Sequence, residues 1–144
     1  DYVKIDQWDT WSADSTLSKI ILPMLKQLKA TKHGYPMVAD EDVPEYLRSH
    51  MAQPKEHEWD WDSLAEMRWD WVLDEMINAF ECINDDSWED AYYSGEIDIK
   101  FVDGTMVHGP NHTREWDKDG WSKANQRIDN GTRLFGKYFR GLWT

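Results

Sequence analysis

The sequence has a single cysteine, Cys82, in 144 residues. One thiol excludes an internal disulfide, and such sparing use suits a reducing compartment. Acids flank Cys82, which reads as a small packing residue rather than a nucleophile. Cations are scarce too: 16 Lys and Arg stand against 28 Asp and Glu, a formal net charge of −12. A chain of that sign repels a polyanion, which argues against general nucleic-acid binding. The cations gather mildly at Lys19, Lys26, Lys29 and Lys32 and again at Arg127, Arg133, Lys137 and Arg140. Both groups read as faces paired with surrounding acids. Long apolar runs are missing: none approaches the ~20 residues of a membrane helix, and the mean hydropathy is −0.80. No secretory leader, phosphate loop, dinucleotide fingerprint or Gly-x-Ser-x-Gly elbow appears. Ser, His and Asp form no local triad signal. Asn111-His112-Thr113 and Asn130-Gly131-Thr132 fit the N-glycosylation pattern, a match frequent by chance and set aside for a chain read as intracellular.

Aromatic residues, by contrast, are plentiful. Ten tryptophans argue against disorder despite the charge. The length is that of one domain, 1–144, able to bury roughly two-thirds of its unfolded surface. Tyr2-Val3-Lys4-Ile5 alternates as a short strand would. Leu17, Ile20, Ile21, Met24, Leu25 and Leu28 then follow i, i+3, i+4, i+7, i+8, i+11, which predicts a helix over about 15–33. Pro23 is expected to kink it or remove one hydrogen bond, and His33-Gly34 to stop it. Residues 34–60 read as irregular, punctuated by Pro36, Pro44 and Pro54, with one short helix capped near Asp42 and running to Arg48.

A second helix is predicted over about 62–83, capped by Asp62 or Ser63, with Trp69, Val72, Leu73, Met76, Phe80 and Ile83 as its buried stripe. Ile97, Ile99 and Phe101 alternate with Asp98 and Lys100. With the Asp103-Gly104 turn signal and Thr105–His108, they predict a half-buried antiparallel hairpin over about 96–108. A third helix is expected from a Thr113 cap to Leu142, about 113–142, kinked at Asn130-Gly131. The fold class is therefore α+β: a mostly helical single domain of three amphipathic helices and one small β-hairpin.

Candidate chemistry is thin. The five histidines, His33, His50, His57, His108 and His112, share no helix face, and Gly109-Pro110 breaks any helical pairing of the last two. Glu66, Asp70 and Asp74 lie at i, i+4, i+8 on one face of the second helix. With Glu75 they could supply part of a magnesium site of the kind used by all-α nucleotide pyrophosphatases. The paired Glu-x-x-Glu pattern of such enzymes is absent, and the plainer reading is a solvated acidic face. No cofactor or metal is assigned. Seven tryptophans, Trp8, Trp11, Trp59, Trp61, Trp88, Trp116 and Trp121, stand beside acids at element boundaries. They can staple loops to a small core, anchor an interface or line a sugar-stacking groove. Trp59 and Trp61 are the candidate binding anchors, because the irregular segment before the second helix offers little room to bury both.

Several stretches carry a family likeness. They are Ile20-Ile21-Leu22-Pro23-Met24-Leu25-Lys26-Gln27-Leu28-Lys29, Lys32-His33-Gly34, Asp40-Glu41-Asp42-Val43-Pro44, Arg68-Trp69-Asp70-Trp71-Val72-Leu73-Asp74-Glu75-Met76-Ile77 and Asp86-Ser87-Trp88-Glu89-Asp90. The closing stretch is Asn130-Gly131-Thr132-Arg133-Leu134-Phe135-Gly136-Lys137-Tyr138-Phe139. Together they resemble a family of small acidic proteins encoded by tailed bacteriophages, notably marine and cyanobacterial myoviruses. Asp62-Ser63-Leu64-Ala65-Glu66 departs from that pattern, which bears on where the second helix begins. The family brings no assigned activity and no catalytic residues. The resemblance implies a viral protein acting in the bacterial host cytoplasm or mounted on the virion. The leading expectation is a non-enzymatic accessory protein that binds a basic host or viral protein. The alternatives are a metal-dependent nucleotide hydrolase and a structural virion component.

Overall fold

A computed structural model describes residues 3–144. It is a mostly helical α+β fold in the element order 3₁₀ turn, α1 (Ala13–Thr31), three 3₁₀ turns, α2 (Ala65–Asn84), then a longer 3₁₀ segment (Asp86–Tyr92). Next come β1 (Tyr93–Ser94), β2 (Ile99–Val102), β3 (Thr105–His108), β4 (Glu115–Trp116), α3 (Lys118–Lys137) and a last turn. The central element is α2, which packs against both α1 and α3. Its stripe is the expected one: Trp69, Val72, Leu73 and Met76 are fully buried, and Phe80 nearly so. Leu25 of α1, Leu134 of α3 and Tyr138 join them, with Ile21, Leu22 and Leu28 partly buried against the cluster.

Helix α1 runs through Pro23, where the ring removes one hydrogen bond, one of the two expected outcomes. Two helix starts differ from expectation, each for a local reason. Helix α2 starts at Ala65 rather than at 62, because Asp62 is drawn to the buried Arg68 and to the Leu64 amide. Helix α3 starts at Lys118, capped by Asp117 accepting from the Gly120 amide at 2.9 Å. Thr113 cannot cap it: its hydroxyl accepts from the Glu96 amide at 2.9 Å and its own amide donates to the Glu96 carbonyl at 3.0 Å. Nor does Asn130-Gly131 break α3, which is continuous to Lys137 and is followed by a turn at Phe139–Gly141. Gly131 is buried where α3 crosses α2, and a Cβ there would lie 2.4 Å from the Glu75 carbonyl oxygen and 2.5 Å from the Ala79 Cβ. The glycine serves close helix approach, not interruption.

The segment between α1 and α2 is irregular, as expected, yet it adds Val38, Val43 and Leu47 to the core. The expected short helix at 42–48 divides into separate 3₁₀ turns, Asp40–Asp42 and Glu45–Leu47, on either side of Pro44. Residues 3–6 carry no strand, and Tyr2 of the expected strand lies outside the described residues. The hairpin is present, with Val102 opposite Thr105 and positive φ at both Asp103 (50°) and Gly104 (76°), the signature of a type I′ turn. It is not half-buried: every residue of β2 and β3 is exposed. A second ladder, Tyr93↔Trp116 and Ser94↔Glu115, pairs β1 with β4. Two-residue strands are too short for alternation to reveal. Among the described residues, no helix is long and apolar enough to cross a membrane.

Candidate functional site

The acids of α2 are drawn to two different neighbours. On the α1 side, the Lys32 ammonium lies 3.1 Å from both Glu66 and Asp70, Lys29 lies 2.5 Å from Asp74, and Lys26 lies 2.6 Å from Glu81. Burial works to lower the Lys32 pKa, but hydrogen bonds to Asp70 and Glu66 overcome it and hold the ammonium charged. Ascending lysines meet descending acids, so the ladder also sets the antiparallel register of α1 on α2. Five residues on from Asp70, Glu75 has turned through about 500°, net 140°, at 100° per residue. It faces α3, where Arg127 grips it through Nε and Nη2, both at 2.8 Å. Glu66, Asp70, Asp74 and Glu75 therefore do not converge on one point. Among the described residues, no group of three or more His, Cys, Asp or Glu could hold a metal ion. Cys82 is partly buried, and burial, with Glu81 and Asp85 nearby, pushes its thiol pKa up, which is the opposite of activation.

Asp42, expected as a helix cap, is instead a buried anion. Its carboxylate accepts from the Tyr138 hydroxyl at 2.6 Å and Arg133 Nη2 at 2.8 Å, and Lys137 Nζ lies at 2.5 Å. Burial works to raise its pKa, but the three donors outweigh burial and hold it below the usual carboxylate range. The Tyr138 hydroxyl also accepts from the Ala39 amide at 3.0 Å. This cluster clamps the segment before α2 onto the end of α3 and so shapes the cleft beside it.

That cleft, of about 780 Å³, is lined by Trp59, Trp61, Asp40, Glu58, Asp60 and Arg68, among others. Trp59 is 79% exposed and Trp61 54% exposed. Trp59 stacks on His57 with ring centres 4.7 Å apart, and Trp61 meets Tyr35 edge-on at 5.2 Å. Arg68 is buried, donating to the Leu47 carbonyl at 3.0 Å and to Asp62. Chiefly that hydrogen bond from Arg68 keeps the Asp62 pKa low. The charge on Arg68 is thus balanced within the fold. Asp40 is held by the amide and hydroxyl of Ser49, which lower its pKa, and Asp60 accepts from the His57 amide at 2.9 Å. Those donors are neutral. Among the described residues, Asp40, Glu58 and Asp60 form no ion pair, and Lys55 is the one lining cation outside an ion pair. The cleft thus combines two exposed indoles with an excess of uncompensated carboxylate.

The other tryptophans divide by role. Trp69 is core. Trp121 stacks with Trp88 at 6.2 Å and meets Trp116 edge-on at 5.8 Å, while Trp116 stacks on Tyr93 at 6.2 Å under a cation–π contact from Arg114. These rings staple the β1–β4 ladder and the Asp86–Tyr92 segment to the start of α3. Trp8 and Trp11 touch one another and are exposed. The Asp42 clamp escapes periodicity reasoning because its partners lie 91 or more residues away. The one signal for it is the basic Arg133/Lys137 pair, at i and i+4, matched against the acidic run Asp40-Glu41-Asp42. No protein-family model, curated protein or solved structure matches the chain.

Proposed function

We propose that this protein is a non-enzymatic module that binds a basic segment of another protein in the Trp59–Trp61 cleft. One observation carries the reading: two exposed indoles share a cleft with Asp40, Glu58 and Asp60, which form no ion pair among the described residues. An arginine or lysine side chain satisfies both features at once. Its stem covers indole, its cation lies over a π-face, and its donors reach carboxylates. The net charge of −12 steers such a partner from a distance. The phage-family resemblance adds the setting: a basic host or viral protein met in the bacterial host cytoplasm. The hydrolase alternative finds its four acids engaged by Lys32, Lys29 and Arg127 instead of gathered around a cation.

The test is a tryptophan-fluorescence titration with a short Lys/Arg-rich peptide and its Glu-rich counterpart. The basic peptide is expected to bind saturably and more weakly as salt rises. Trp59→Ala and Trp61→Ala, followed by calorimetry, should each weaken binding roughly thirtyfold, as truncating a true anchor does. Trp59→Ala should melt as the wild type does. No binding, binding indifferent to salt, or full binding by both variants would overturn the assignment.

A further inference from the structure

The base of the β2–β3 hairpin brings two histidines face to face. His108 ends β3, and His112 follows it across the Gly109-Pro110 turn. Their rings stack with centres 3.9 Å apart and planes 16° apart. The Asp98 amide donates to His112 Nδ1 at 3.2 Å. A ring nitrogen that accepts carries no proton, so the closed turn holds His112 neutral. Asp98 ties the turn twice more. Its carbonyl accepts from the Gly109 amide at 2.8 Å, and its Oδ2 accepts from the Asn111 amide at 3.0 Å. The near-parallel planes keep the in-plane lone pairs of the two rings from converging on one ion, so the pair is arranged for stacking and not for a metal.

We propose that this stack is an acid-released latch: with His112 neutral the 109–112 turn is closed on Asp98, and with both rings protonated it opens. His108 is exposed and takes the first proton without disturbing the Asp98 bond. A proton on His112 Nδ1 then sets one N–H against another at the Asp98 amide and one cation 3.9 Å from the next. Both penalties vanish when the turn opens. The charged groups of the segments that meet here are Glu96 and Asp98 before β2, Lys100 on β2, and Arg114 and Glu115 beyond the turn. Lys100 is on the other face of the hairpin from His108 by alternation, and Arg114 lies over Tyr93. Among the described residues the one histidine–carboxylate contact within 4 Å is His50–Glu45. Glu96, Asp98 and Glu115 therefore act on the rings only through screening solvent, whereas the opposed N–H groups and the stacked charges are in contact. The closed turn needs the neutral ring. Closure is thus complete above the window in which imidazole takes up its proton, roughly pH 5–8, and is lost as pH falls through it.

NMR relaxation of the nitrogen-15-labelled full chain tests the proposal. The backbone order parameters of Gly109, Asn111 and His112 should be near the rigid value of about 0.85 at the upper end of that window and fall below about 0.6 at its lower end. The lower end stays above the ordinary carboxylate range, so the acids remain charged throughout. His112→Asn is the decisive variant. Its Oδ1 stands about where Nδ1 does and accepts from Asp98 without titrating, so its turn should stay rigid in acid. His108→Phe keeps a stacked ring without its charge and should loosen less than the wild type. Circular dichroism checks that both variants are folded. A wild-type turn equally rigid, or equally mobile, at both ends of the window overturns the proposal, and so does loosening as large in either variant as in the wild type.

Discussion

Replacing Gly131 by alanine is expected to destabilise the protein even though alanine is the better helix former. In a free helix interior the exchange gains about 1 kcal/mol. At this crossing the new methyl would sit 2.4 Å from the Glu75 carbonyl oxygen and 2.5 Å from the Ala79 Cβ. Both contacts lie far inside van der Waals separation, and the first is to backbone. Helix α2 cannot retreat cheaply, since Trp69, Val72 and Met76 on it are fully buried. Overpacking of this kind costs about 1–3 kcal/mol and sometimes more. With two severe contacts the upper end applies, so the net loss after the propensity gain is about 2 kcal/mol. In a chain this long that lowers Tm by roughly 5–8 °C. Urea unfolding followed by far-UV circular dichroism measures the loss directly. Gly136→Ala is the internal control: it lies in the same helix and its added Cβ meets nothing within 4 Å, so it should stabilise by about 0.4–1 kcal/mol. Opposite signs for one substitution at two sites of one helix support the close approach. A Gly131→Ala variant as stable as Gly136→Ala would refute it.

Asp42 should make folding acid-sensitive. Its folded pKa is depressed, so its contribution is fully present above the ordinary carboxylate range near pH 4 and is lost as pH falls through the lower folded value. Asp42→Asn should cost about 2 kcal/mol at pH 7, less than a fully buried pair, because Arg133 and Lys137 are 50% and 39% exposed. It should also flatten the fall in melting temperature between about pH 5 and 2; parallel wild-type and variant curves would contradict the clamp. Added Mg²⁺ should leave the melting temperature unchanged, because Asp74 and its neighbours are already engaged by lysine and arginine. A saturable rise towards the ~2.7 kcal/mol expected at a hundred times Kd, abolished by Asp74→Asn, would restore the hydrolase alternative.

The sequence by itself determined what local periodicity and turn chemistry can encode. The α2 stripe repeats every 3.6 residues and is buried, and the Asp103-Gly104 turn needs positive φ at both positions, so both are readable without knowing the fold. The α1 stripe predicted the helix but only half of its buried face, since Leu17, Ile20 and Met24 are exposed while Leu25 is buried and Ile21 and Leu28 partly so. The exposed state of Trp59 was legible too, since the short irregular acidic segment between Pro54 and the second helix cannot wrap an indole. Tertiary structure decided whatever depends on which distant group stands opposite. Gly131 read as a helix breaker until α2 lay across it, because a missing side chain has one local signature and two physical uses. Glu66, Asp70 and Asp74 shared a face as predicted, but only the packing of α1 supplied the lysines that occupy them. Asp42 was a capping residue by its neighbours and became a buried anion through Tyr138, 96 positions away. The hairpin's alternation announced a buried face. Burial, unlike alternation, requires a second surface, and among the described residues the fold supplies none to Phe101.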